Sequence, residues 1–211
     1  MIPTRICIVR HGETDWNLER RLQGQIDIGL NAAGRTQAEA AAHGLEQHAF
    51  AALYSSDLQR TLQTAAVLAG RLALPVRPEA GLRERHYGVF QGRTATEFAR
   101  DHPDAHARFL SRDPDYDFGH GESLRSFAAR VSETIERLAS LHAGQTLLLV
   151  THGGVLDIVY RRITDRDLSG PRDFAVPNAA LNWIETASPD WRLLTWADRR
   201  HLERTLEQAV E

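Results

Sequence analysis

The stretch Ile6-Cys7-Ile8-Val9-Arg10-His11-Gly12-Glu13-Thr14 decides how this chain is read. Its apolar, largely β-branched start predicts a short buried strand over residues 5–10. That strand delivers Arg10 and His11 to its carboxyl end, and a glycine follows at once. Open α/β sheets bind ligands just beyond such ends. Gly12 allows close approach of the backbone, and the planar guanidinium of Arg10 matches phosphate oxygens. The same device recurs in Leu147-Leu148-Leu149-Val150-Thr151-His152-Gly153-Gly154. One histidine at a strand end is more often a hydrogen-bonded loop residue. Two in matching contexts point to two imidazoles facing one pocket.

Between these stretches, apolar patterning alternates strand with helix. An Ala-rich helix is expected over 32–47 with Asn31 as its N-cap, and a second strand over 51–55. Ser56 or Asp57 then caps a helix to Leu72, whose apolar stripe is Leu58, Leu62, Ala65, Ala66, Ala69 and Leu72. Arg60 lies off that stripe in the first turn, where a cation opposes the helix dipole unless an anion binds there. A third strand is expected over 74–79, a helix broken by Pro103 over 94–112, and a loop over 113–122. Ser123 caps a helix to His142. A strand over 145–151, a short helix over 154–163 and an antiparallel pair over 179–186 and 191–197 complete the order. The charged segment 199–211 is expected to be a short helix. Strands alternating with helices imply a mostly parallel sheet covered on both faces.

Four segments in order, Arg10-His11-Gly12-Glu13-Thr14, Ser55-Ser56-Asp57-Leu58-Gln59-Arg60-Thr61, Leu82-Arg83-Glu84-Arg85-His86-Tyr87-Gly88 and Val150-Thr151-His152-Gly153-Gly154, carry a resemblance. Together they resemble the histidine phosphatase superfamily, the phosphoglycerate mutase-like proteins, from Arg5 to about Trp196. The resemblance implies an α/β fold: a three-layer α/β/α sandwich with a mostly parallel sheet and one antiparallel strand. It also implies a single domain over 1–211 with a cap segment at 93–122.

Composition agrees with a globular enzyme and excludes several classes. A chain of 211 residues with net charge −3 fits one domain, and nothing in it points to nucleic acid or an anionic membrane as partner. All 25 basic residues are arginine, which excludes lysine-based mechanisms. Cys7 is the single cysteine, so no internal disulfide forms, which suits a reducing cytoplasm. No apolar run reaches membrane-spanning length. No metal-binding helical pattern is present: His102 and His106 come nearest, with Pro103 between them. A small phosphorylated metabolite is the expected partner, and the protein is expected to be a monomer or homodimer.

The resemblance assigns roles residue by residue. His11 is the candidate nucleophile and must be neutral to attack, so its other ring nitrogen is expected to donate to a backbone carbonyl. Arg10 and Arg60 form the phosphate clamp, since guanidinium forks suit the charge spread over a metaphosphate-like transition state. His152 contacts the phosphoryl oxygens, as a cation, and Gly153 leaves room for that approach. Glu84 is the general acid, protonating the leaving oxygen and then activating water. Thr14, Asn17, Gln23, Gly24 and Tyr87 are second-tier candidates for the substrate pocket. Arg93, Arg100, Arg108 and Arg112, with Phe109, Tyr116 and Phe118, populate the cap; a solvated helix face accounts for most of those arginines.

Hydrolysis and phosphoryl transfer use the same core. Cofactor-dependent phosphoglycerate mutases carry an insertion with an Arg-Arg pair and a lysine between the acid and the second histidine. This chain has no lysine, and its Arg-Arg pairs fall at 20–21, 161–162 and 199–200. A metal-independent phosphomonoesterase without a cofactor is therefore expected. Glu84-Arg85-His86-Tyr87-Gly88, close to the mutase form, keeps open a mutase primed by 2,3-bisphosphoglycerate. A phosphoprotein phosphatase and a non-catalytic binder of phosphorylated ligands are further alternatives.

Overall fold

A computed structural model describes residues 2–187 and 189–203. In chain order the elements are β1 (Thr4–Arg10), α1 (Asp15–Leu18), α2 (Ala32–Leu45), β2 (Ala52–Ser55), α3 (Gln59–Leu72) and β3 (Val76–Pro78). They continue with α4 (Ala95–Asp101), α5 (Pro103–Leu110), α6 (Leu124–Leu141), β4 (Thr146–Thr151), α7 (Gly153–Ile163), β5 (Leu181–Ala187) and β6 (Asp190–Asp198). The strands form one sheet in the order β3-β2-β4-β1-β5-β6, and β5 runs against both its neighbours. Most of the expected C-terminal helix over 199–211 lies outside the described residues.

The central strands are apolar throughout because helices cover both faces. Alternation divides their side chains between two cores. Ile6, Ile8, Leu147 and Leu149 pack with Val131, Ile135 and Leu138 of α6 and Val155 and Val159 of α7. Cys7, Val9, Leu148 and Val150 pack on the other side with Ala41, Ala42 and Leu45 of α2 and Ala65 and Leu68 of α3. The result is helix, sheet, helix in three layers. Burial pushes the Cys7 thiol far up, so it stays protonated. Among the described residues, no helix is long and apolar enough to cross a membrane.

Helix α3 departs from expectation in a way that serves the site. Its buried residues are Arg60, Thr61, Thr64, Ala65 and Leu68, and Ala66 of the expected stripe is exposed. Neither Ser56 nor Asp57 caps it. The N-cap is Leu58, without a side-chain bond, and Asp27 Oδ1 accepts from the Gln59 amide at 2.6 Å instead. Ser56 and Asp57 are engaged elsewhere, with His152 and Arg83. Local composition favoured a cap there, and tertiary partners outbid it.

A third cluster of Phe90, Phe98 and Phe118, backed by Tyr87 and Phe109, holds α4 and α5 above the strand ends. Most cap arginines are spent on surface ion pairs: Arg93 and Arg100 with Asp101, and Arg108 with Asp113.

The loop after β1 is clamped against α2. A Cβ on Gly12 would stand 2.2 Å from the Gly34 carbonyl oxygen, and one on Gly34 would stand 2.1 Å from that of Glu13. Backbone on both sides leaves nothing to yield. Gly34→Ala is expected to destabilise the protein by about 1–3 kcal/mol. Gly70→Ala, with nothing within 4 Å of the new methyl, is expected to stabilise it by about 0.5–1 kcal/mol. Urea midpoints of the two variants check the contrast.

Candidate active site

Register alone brings the two motifs together. Strands β1 and β4 are parallel neighbours, with Arg10 opposite Thr151. His11 and His152 are therefore the next residues on adjacent strands. Their rings meet edge to face with centroids 5.3 Å apart. On the far side of β4, β2 ends with Ser55 opposite Val150, which places Ser56 beside His152. Three strand ends thus lie abreast: Arg10 and His11 after β1 and Gly153 and Gly154 after β4 line a cavity of about 420 Å³, whereas His152 and Ser56 are fully buried and do not line it.

The hydrogen bonds fix the protonation of both rings. His11 Nδ1 is 2.7 Å from the Gly12 carbonyl oxygen, which only accepts, so Nδ1 carries the proton and Nε2 keeps its lone pair. Arg60 Nε donates to His152 Nδ1 at 3.2 Å, so that nitrogen bears the lone pair. His152 Nε2–H then donates to Ser56 Oγ at 2.8 Å. In this arrangement His152 is neutral. Burial holds both imidazoles well below their ordinary value of 6.5, and the neighbouring guanidiniums of Arg60 and Arg10 push in the same direction.

The clamp is cationic and dry. Arg60 is fully buried on the first turn of α3 and also donates to the carbonyls of Ile26 at 2.9 Å and Gly24 at 2.6 Å. Arg10 donates from Nη1 to the Val176 carbonyl at 2.7 Å, while its buried Nε has no partner. Burial lowers both guanidiniums to about 10, which leaves them charged at neutral pH. Neither forms an ion pair with a carboxylate among the described residues, so each keeps donors for an incoming anion.

Glu84 faces this clamp. Its Oε1 accepts from the Arg85 amide at 2.8 Å and its Oε2 from the Gly154 amide at 2.9 Å. A Cβ at position 154 would stand 2.0 Å from Glu84 Oε1, so a side chain there would push that carboxylate from its place. The loop carrying Glu84 is anchored from behind by Arg130, which donates to the carbonyls of Gly81, Arg83 and Glu84 and to the Glu122 carboxylate. That anchor accounts for Glu122, while Ser123 caps α6 as expected.

The second-tier residues divide. Asn17, Gln23, Gly24, Tyr87 and Gly153 line the cavity with the clamp. Asn17 spends Oδ1 on the Thr14 amide at 3.1 Å and leaves its NH₂ uncommitted toward phosphate. Gln23 has a buried Oε1 without a partner. Gly24 acts through its carbonyl, which holds Arg60. Thr14 does not line the cavity: it is fully buried, and its hydroxyl accepts from the Asn17 amide in a capping box. Of the named cap residues, only Phe109 and Arg112 line the cavity. Reading the sequence missed Ser56 as a partner of His152, and Asp157 and Arg172 as cavity residues. Ser56 lay inside a quoted motif, and only the flush ends of β2 and β4 reveal its role.

Comparisons with known proteins agree with this fold. The family model described as histidine phosphatase superfamily (branch 1) matches residues 6–199. A metal-independent phosphoserine phosphatase of Arabidopsis thaliana is 39% identical over 202 residues, covering 94% of this chain and 83% of that protein. Phosphoglycerate mutase-like protein 4 of the same plant is 38% identical over 204 residues, covering 95% and 87%. The solved structure of YhfR from Bacillus stearothermophilus superposes with a TM-score of 0.85 at 30% identity, covering 94% of this chain and 99% of that one.

Two buried neutral histidines make stability depend on pH. Unfolding releases both rings to their ordinary value of 6.5, where they take up protons. Their contribution is therefore complete above that pH and is lost as pH falls toward the folded-state values. The slope reaches about 1.4 kcal/mol per pH unit for each ring. His201, also lowered by burial, adds to the trend. His11→Gln is expected to flatten the slope by about 1.4 kcal/mol per pH unit, read by urea denaturation from pH 6.5 down to about 5. An unchanged slope would mean that His11 is already protonated in the folded protein.

Proposed function

The chain belongs to the histidine phosphatase superfamily, and from that premise we propose that it is a phosphomonoesterase acting through a phosphohistidine on a small phosphorylated metabolite. One observation carries the reading. A neutral imidazole, its Nδ1–H held by a carbonyl, presents Nε2 to a cavity whose two clamp guanidiniums pair with no carboxylate among the described residues. Such a pocket is ready for a phosphoryl group before it arrives.

The chemistry follows from the placement. The phosphoryl oxygens take the uncommitted donors of Arg10, Arg60 and Asn17. His11 Nε2 forms a bond to phosphorus as the ester P–O bond breaks. Glu84 gives the leaving oxygen its proton and becomes a carboxylate. Water then attacks the phosphohistidine, Glu84 takes up its proton, and inorganic phosphate leaves with His11 restored. His152, braced by Arg60 and Ser56, stays neutral and holds the clamp arginine in line. Because Glu84 accepts from two backbone amides, one lone pair on each oxygen remains for the transferred proton.

Hydrolysis is favoured over mutase action by the same charges. The cap arginines at 93, 100 and 108 are committed to surface carboxylates, and none of them reaches the cavity. The acid motif and the mutase-like relative support the second reading, a mutase primed by 2,3-bisphosphoglycerate. The described residues contain no group of three or more His, Cys, Asp or Glu able to hold a metal. The metal-independent relative supports a route without a metal.

Phosphorus NMR with EDTA, a panel of phosphomonoesters, and 3-phosphoglycerate primed with 2,3-bisphosphoglycerate tests the proposal. Inorganic phosphate is expected to accumulate, and to be absent with His11→Ala. Conversion to 2-phosphoglycerate without free phosphate would establish the mutase instead. Loss of turnover in EDTA, restored by a divalent ion, would overturn the metal-free route. Glu84→Gln is expected to slow the first phosphoryl transfer, read in a single turnover, by about 10²–10⁴-fold with alkyl esters and much less with p-nitrophenyl phosphate, because that leaving group needs no proton.

A further inference from the structure

We propose that Arg172, Asp157 and Tyr87 form a second subsite that grips the organic half of the ester, selecting a carboxylate with a neighbouring amine or hydroxyl. The proposal rests on the phosphatase reading for what happens at the other end of the same ligand. All three residues line the cavity that holds His11 and the clamp.

Among the arginines of that cavity, Arg172 stands apart. Arg21 is paired with Glu19 and Glu97. Arg85 donates to the carbonyls of Glu122 and Tyr116. Arg112 donates to the Leu168 carbonyl and to Asp157. Arg172 has no hydrogen bond or ion pair among the described residues, although it is exposed at the cavity wall.

Its position is built rather than incidental. Arg161, buried on α7, donates to the carbonyls of Asp167, Gly170 and Pro171. Arg112 holds the Leu168 carbonyl from the cap side at 2.9 Å. Two arginines therefore fix the loop that ends at Arg172. A buried cation spent on three loop carbonyls is costly unless the loop must hold one shape.

Asp157 supplies the complementary charge. Its Oδ2 accepts from Arg112 at 2.8 Å and Arg161 at 3.1 Å, while its buried Oδ1 has no partner among the described residues. A carboxylate oxygen left unmatched beside a ligand cavity calls for a donor, an ammonium or hydroxyl. It lies one helical turn beyond Gly154, whose amide holds Glu84. The Tyr87 hydroxyl has no hydrogen-bond partner among the described residues, and its ring lines the same cavity. Burial keeps that phenol protonated and thus a donor. A cation, an acceptor and a neutral donor lining the one cavity match a carboxylate and its amino or hydroxyl neighbour.

The test compares O-phospho-L-serine and 3-phosphoglycerate with phosphoethanolamine and p-nitrophenyl phosphate, which lack the carboxylate. Arg172→Ala is expected to lower kcat/KM for the two carboxylate esters at least 10-fold more than for the other two, with the loss mainly in KM. Arg172→Lys is expected to recover part of it. Equal losses across the four esters, or none, would overturn the subsite while leaving the phosphatase intact. Calorimetric binding of O-phospho-L-serine to His11→Ala and to His11→Ala/Arg172→Ala separates the two readings. A 10-fold or greater weakening in the double variant supports the subsite even if no ester is turned over. Unchanged binding contradicts it.

Discussion

The structure depends on burying two guanidiniums without giving either a carboxylate. Removing a charge from water costs several kcal/mol even after the protein relaxes. Arg60 meets that cost with backbone carbonyls and the lone pair of His152, and Arg10 with one carbonyl only. An ion pair would have stabilised the empty protein better and spoiled the site, because a resident carboxylate competes with phosphate. Leaving the positive charge unmatched reserves it for the ligand. It also keeps both histidines neutral, since a proton on either would add a cation to the same dry volume.

The sheet makes this arrangement possible. In-register strand ends set His11 and His152 side by side without any long-range adjustment. Helix α3 turns its first turn inward so that Arg60 enters from the side. The same inward turn costs α3 a side-chain cap of its own, and Asp27 supplies the missing acceptor from a distant loop. Glycines at 12 and 34 then let the loop after β1 approach α2 to distances that no side chain permits, and Gly154 leaves room for the Glu84 carboxylate.

Much of this was legible in the sequence because it rests on period and motif. The buried strands announced themselves as apolar runs, and the strand-His-Gly elements marked the sheet's ligand-binding edge. The ends of α3 and the tautomer of His152 were not legible. Both are decided by partners far away in sequence: Asp27 for the cap, Arg60 and Ser56 for the tautomer. Thr14 looked like a site residue because it adjoins the motif, yet its hydroxyl is consumed by its own capping box. Asp157 and Arg172 were invisible for the opposite reason. Nothing in their local sequence separates them from surface charges until Arg161 and Arg112 fold the loop against α7.

The central claim is that a neutral His11 attacks phosphorus. Its most direct measurement is a rapid alkaline quench during the first turnover of a ³²P-labelled phosphomonoester, followed by mass spectrometry of the labelled peptide. The account predicts up to one phosphoryl group per chain, base-stable and acid-labile, on Nε2 of His11. Release of phosphate with no such label, or a label on any other side chain, would contradict it.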